Sequence, residues 1–246
     1  HFLAATLELF EGDAKKANKH ILAINPVSKW SAYAFLNLAV SYSKRDVHTS
    51  KIEAAFNKAL ILSKNSDHAK ALRDKINLMA GKFLYTTGRS RSAIKHLKNI
   101  ALDSAYAPSA LLTYGWALTE QERYSNALQP WYLLKTGYPL LNQDVQETLI
   151  AIPHLLELSN AKVMALRAFD YASDQFDSIY KQLEESAERL NTGEFITPLL
   201  AQKIPGRWGA FEAVDLSLPN HPDRIYLKDV MSHSYFQGEL KNLRDL

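Results

Sequence analysis

Residues 111–139 read LLTYGWALTEQERYSNALQPWYLLKTGYP, an order that two helices joined by a short polar turn account for. Gly115 lies in the first apolar run, Ala127 and Trp131 in the second, and Pro139 closes it. Glycine and alanine let two helices approach closely, and a large side chain fills the space beside the contact. The set recurs. Gly81, Ala93 and Leu97 repeat the same offsets, and 34 residues separate Gly81 from Gly115. Self-similarity at a fixed period of roughly 20–50 residues is the signature of stacked helical repeats.

Working outward, residues 69–101 form the pair before this one. Residues 28–63 form an earlier, degenerate pair, with helices expected at 32–43 and 51–62 and the turn at 44–50. Val40 takes the glycine position there, and Phe56 and Ala59 share one face of the second helix. Gly81 follows Val40 by 41 residues, so the helix over 66–86 is expected to begin early. Residues 2–26 read as the tail of another repeat, with Glu11-Gly12-Asp13 as its turn, since glycine supplies the backbone freedom a tight connection needs.

Beyond Pro139, helices are expected at 144–158 and from Ala161 onward, with Pro153 at the glycine position and Ala165 and Phe169 as the small and large partners. That second helix continues. Phe169, Ala172, Phe176, Ile179, Leu183, Ala187 and Leu190 are spaced by three and four, a single apolar stripe that ends at Asn191-Thr192-Gly193. Residues 194–222 hold four of the nine prolines, so an irregular connection is expected there, with a short helix at 198–203. A final helix should start near Pro222 and run through Val230, Phe236, Leu240 and Leu243. The expected division is a repeat domain over 1–190 and a proline-containing connection plus helix over 191–246.

With 246 residues, 47% of them hydrophobic, the chain can bury a sizeable core. The uncharged run 104–119 contains Pro108 and Gly115 and is shorter than a bilayer requires, so no membrane span is expected. The opening on His1 within an apolar helical pattern leads us to expect a fragment or processed form. The chain has no cysteine, which excludes disulfides and cysteine-ligated zinc. Together with mixed Lys, Asn and Ser usage, that points to a bacterial protein in the periplasm or elsewhere outside the cytoplasm. The net charge of +3 is unevenly spread: residues 64–98 carry nine Lys or Arg against two Asp, and residues 117–200 carry six basic against twelve acidic residues.

The spacing in 111–139 and 76–100 resembles the tetratricopeptide repeat (TPR) family. The likeness covers two repeats closely and three more loosely, and it ends near Asn191. It implies an all-α, right-handed TPR-like solenoid of antiparallel helix pairs, here with a divergent helical C-terminal extension. Its groove, lined by the first helices, would hold a partner peptide or helix. The matching groove positions are Leu78, Lys82, Tyr85, Leu112, Trp116 and His154, with Trp116 the strongest candidate anchor because indole dominates many binding hot spots. The competing reading puts Tyr85, Met79, Leu78 and Leu112 in the core between repeats and covers Trp116 with the tail. Gly81, Ala93, Leu97, Gly115, Ala127, Trp131 and Pro139 are the repeat-packing set. Asn37, Ser41, Leu78, Lys82, Leu112, Trp116, Ile150 and His154 do not reproduce the carboxylate clamp that some members of the family carry.

A stripe as long as 169–190 needs a partner, so Phe176, Ile179 and Leu183 form a second candidate interface. Basic segment 64–98 offers the alternative of electrostatic binding to nucleic acid or an anionic membrane, although nucleic acid is disfavoured because no recognisable binding module accompanies it. No histidine pair has metal-ligand spacing, and no phosphate-cradling glycine loop or nucleophile elbow occurs. The expectation is therefore a non-catalytic interaction scaffold that uses no cofactor or metal.

Overall fold

The computed structural model describes residues 1–45, 47–65, 68–193 and 233–244. Among these residues the protein is helical throughout, with no strand. Helices α1 (Phe2–Glu11) and α2 (Ala14–Leu22) form the first pair, and α3 (Trp30–Ser43) and α4 (Thr49–Leu62) the second, followed by a 3₁₀ turn at Ser63–Asn65. Next come α5 (Ala69–Thr86) with α6 (Ser90–Leu97), and α7 (Ala107–Thr119) with α8 (Tyr124–Gly137). Then follow α9 (Gln143–Leu158), α10 (Lys162–Asn191) and α11 (Ser234–Arg244). The long α5 accommodates the wide interval between Val40 and Gly81. Helix α10 stops at the expected place, where Gly193 adopts φ 73°. The short helix expected at 198–203 and the helix start near Pro222 lie outside the described residues.

Helices α1 to α8 form four consecutive hairpins, and the packing between hairpins follows one rule. Each later first helix touches both helices of the pair before it: α3 packs on α1 and α2, α5 on α3 and α4, α7 on α5 and α6, and α9 on α7 and α8. Contacts divide the chain into two compact units, residues 1–169 and 170–246, the division falling inside α10.

The turns of three of these hairpins, and the turn between α9 and α10, share a geometry that residue identity conceals. Gly12, Gly88, Glu122 and Asn160 all have positive φ, at 97°, 72°, 56° and 60°. In each case the N–H of the next residue, Asp13, Arg89, Arg123 or Ala161, donates to a carbonyl five residues back, at 2.8, 2.8, 3.0 and 2.9 Å. This is the left-handed C-terminal cap that satisfies the last orphan carbonyls of a helix. Gly88 and Glu122 are 34 residues apart, so the turn repeats with the same period as the glycines.

The close contacts pair glycine with the large residue sixteen positions on. A Cβ on Gly81 would lie 2.6 Å from Leu97 Cδ2. One on Gly115 would lie 2.6 Å from Trp131 Cδ1 and nearer still to Nε1 and Cε2. Trp131 is fully buried, and its Nε1 donates to Leu112 O at 3.1 Å. Ala93 and Ala127, the small residues of the second helices, are also fully buried. In the next pair Pro153 fills the equivalent position with its own ring and is buried. Phe169, in register with Leu97 and Trp131, is exposed. Pro139 is exposed two residues past α8, and its carbonyl accepts from Asn142 N–H at 3.0 Å.

Candidate functional site

Of the six expected groove residues, the fold brings Lys82, Tyr85 and Trp116 onto one surface and withdraws two. Leu78 is 9% exposed and packs with Leu84, Ala93 and Leu97. Leu112 is 7% exposed and belongs to the cluster around Trp131. Both therefore belong to the core and are not available to a partner. His154 is exposed on α9, two helical turns beyond Glu147.

Trp116 is partly buried and already has two partners. Its Nε1 donates to Glu147 Oε1 at 2.8 Å, and its ring meets Trp131 edge-on, with centroids 4.8 Å apart and planes at 70°. The indole thus spans from α7 to α9 while keeping part of its surface in solvent. Tyr85 on α5 lies beside Glu120, the residue that caps α7. Burial first, then the charges of Glu120 and Glu147, hold its phenol above the ordinary range. Glu120 also accepts from Ser90. Asp144 in the first turn of α9 is pushed up by burial, an effect opposed by Lys82 and by a hydrogen bond from Ser109 and reinforced by Glu147. A continuous polar and aromatic patch therefore crosses α5, α7 and α9: Lys82, Tyr85, Trp116, Glu120, Asp144 and Glu147. Sequence reasoning missed its three carboxylates, since a lone acidic residue on a helix reads as solvated exterior.

The basic segment is partly neutralised. Lys70 pairs with Asp103 at 2.7 Å, Arg89 with Glu53, and the Lys98 ammonium lies 5.8 Å from the Tyr114 ring centroid. Between α4, α5 and α6 lies a cavity of about 140 Å³, lined by Glu53, Asn57, Ser92, Lys95 and His96 over a floor of Phe56, Ala80 and Leu84. His96 Nδ1 bonds the buried Asn77 Oδ1 at 3.1 Å. Burial pushes its imidazole below the ordinary value, against the pull of Glu53.

In the unit 170–246, Phe176 is partly buried, Ile179 is buried and Leu183 is exposed. Ala172, Ile179 and Ser186 are the buried residues of α10 there, seven positions apart. Ser186, not Ala187, continues the stripe, and Ala187 is exposed, because a strict seven-residue seam keeps one line along the helix.

Among the described residues no group of His, Cys, Asp and Glu could hold a metal ion, and no helix is long and apolar enough to cross a membrane. No family model, curated protein or solved structure matches the chain.

Proposed function

We propose that residues 1–169 form a right-handed TPR-like solenoid that works as a non-catalytic scaffold, holding a partner peptide or helix on the surface shared by α5, α7 and α9. What carries this reading is the patch of Lys82, Tyr85, Trp116, Glu120 and Glu147, which joins three successive first helices into one face. The recurrence of the glycine contact and of the left-handed turn at the same period supports the solenoid. A partly exposed indole beside a tyrosine and ionised side chains is chemistry suited to anchoring a helix or extended peptide. Electrostatic binding through 64–98 has less support, because Lys70, Arg89 and Lys98 already have partners within the chain.

The test is cross-linked affinity capture with the wild-type chain and with Trp116→Ala combined with Lys82→Glu. Expected is loss of the captured partner with the helical signal unchanged. An identical partner set from both chains refutes the groove.

A further inference from the structure

The cavity between α4, α5 and α6 holds polar groups that the fold does not consume. Its floor is apolar, made by Phe56, Ala80 and Leu84, and its walls are polar. Helix α4 supplies Glu53 and Asn57, and α6 supplies Ser92, Lys95 and His96, each set spaced by three or four so that it shares one helix face. Glu53 is spent on Arg89, and His96 Nδ1 on Asn77. The side chains of Asn57, Ser92 and Lys95 make no hydrogen bond or ion pair with the described residues. Packing between hairpins does not call for polar groups at this place: Pro130 stands 34 residues after His96, at the corresponding position on α8, and is buried there.

Charge and size say what fits. The three helices around the cavity carry eight Lys or Arg against two acids, Glu53 and Asp74, and Arg89 already meets the charge of Glu53. Lys95 is therefore the unpaired charge among the lining residues. The volume of about 140 Å³ is close to that of a cavity that holds benzene, so the occupant has about six heavy atoms. An ammonium, an amide and a hydroxyl beside an apolar floor suit a carboxylate on a short hydrocarbon body, because a carboxylate accepts several hydrogen bonds and gains most from a charged donor. We propose that this cavity binds a small aliphatic monocarboxylate, its carboxylate held by Lys95, Ser92 and Asn57 and its alkyl part resting on Phe56 and Leu84. The polar groups that hold it lie on α4 and α6, apart from the patch of α5, α7 and α9, so the two sites stand or fall separately. A bound acid would tie two successive hairpins together and stabilise the fold by mass action.

The experiment titrates sodium butyrate into the full chain at constant pH and ionic strength and follows the NMR signal of the His96 ring, assigned with His96→Gln. Expected is saturation with a dissociation constant on the order of 1 mM, within reach of a ligand of about six heavy atoms. Lys95→Gln should weaken binding about tenfold. Lys58→Gln, on α4 but outside the cavity, should leave it unchanged. Both lysines are exposed, so neither substitution disturbs the core. Butan-1-ol, which lacks the charge, and inorganic phosphate, which lacks the alkyl part, should each bind at least about tenfold more weakly than butyrate. No saturable shift by about 50 mM butyrate overturns the proposal. So does unchanged binding by Lys95→Gln, equal weakening by Lys58→Gln, which would put the anion on the basic exterior, or phosphate binding as tightly as butyrate.

Discussion

Replacing Gly115 with alanine adds one methyl group where the fold has no room. The new Cβ would lie 2.6 Å from Trp131 Cδ1 and closer to two further ring atoms, so something must move. Trp131 cannot retreat cheaply. It is fully buried, its N–H is spent on Leu112 O, and its ring abuts Trp116. Overpacking of this kind costs about 1–3 kcal/mol, and displacing the indole from its buried acceptor adds about 1–3 kcal/mol. Alanine returns about 1 kcal/mol in helix propensity. The expected net loss is about 1–5 kcal/mol. Gly81→Ala meets Leu97 Cδ2 at 2.6 Å and Cγ at 2.7 Å, a side chain with no hydrogen bond to break, and should cost about half as much. Gly137→Ala has open space and should be neutral or slightly stabilising. The assay is urea unfolding followed by circular dichroism, with amide exchange across α7 and α8 to localise the loss, since repeats need not unfold as one unit. In Gly115→Ala with Trp131→Ala the overlap disappears, so the double variant should be no less stable than Trp131→Ala alone. Equal stability of the Gly115→Ala and Gly137→Ala chains would refute the reasoning, as would additive losses in the double variant.

Three further outcomes are expected. Glu122 holds a left-handed backbone that glycine adopts without steric cost, so Glu122→Gly should raise stability by about 1 kcal/mol, and a lower urea midpoint would contradict the turn assignment. The folded chain keeps His96 below its ordinary pKa through burial, so the unfolded chain binds the proton more readily. Stability is then fully present above pH about 6.5 and falls as the pH drops from there through the folded value. His96→Gln should flatten that dependence between pH 7.5 and 5.5, and an unchanged slope counts against it. Trp116→Phe keeps the ring beside Trp131 but removes the bond to Glu147. It should cost about 0.5–1.5 kcal/mol in thermal unfolding, and a loss as large as that of Gly115→Ala would show that Trp116 is core rather than surface.

Much of the helical order was legible because its signals are local and one-dimensional. Gly12 announced a turn, Asn191-Thr192-Gly193 announced a stop, and the offsets from Gly81 to Leu97 and from Gly115 to Trp131 repeated. The turn at Glu122 was not legible, since nothing about glutamate signals positive φ. Only the hydrogen bond from Arg123 N–H to Leu118 O fixes it. Ser186 was passed over for Ala187 because apolar identity outweighed the seven-residue spacing that burial obeys.

The sequence by itself determined that the described chain would be helical and where its first unit pairs its helices, since a Cβ that is missing at one position and a large side chain sixteen residues later are properties of the chain alone. Tertiary structure decided which side chains remain available. Leu78 and Leu112 occupy repeat positions that pattern alone assigned to a groove, yet both are buried in the core. Tyr85, Trp116, Glu120 and Glu147, scattered over 63 residues, meet only because α5, α7 and α9 lie side by side. Burial and charge pairing depend on what the next helix brings, and that is a property of the packed molecule.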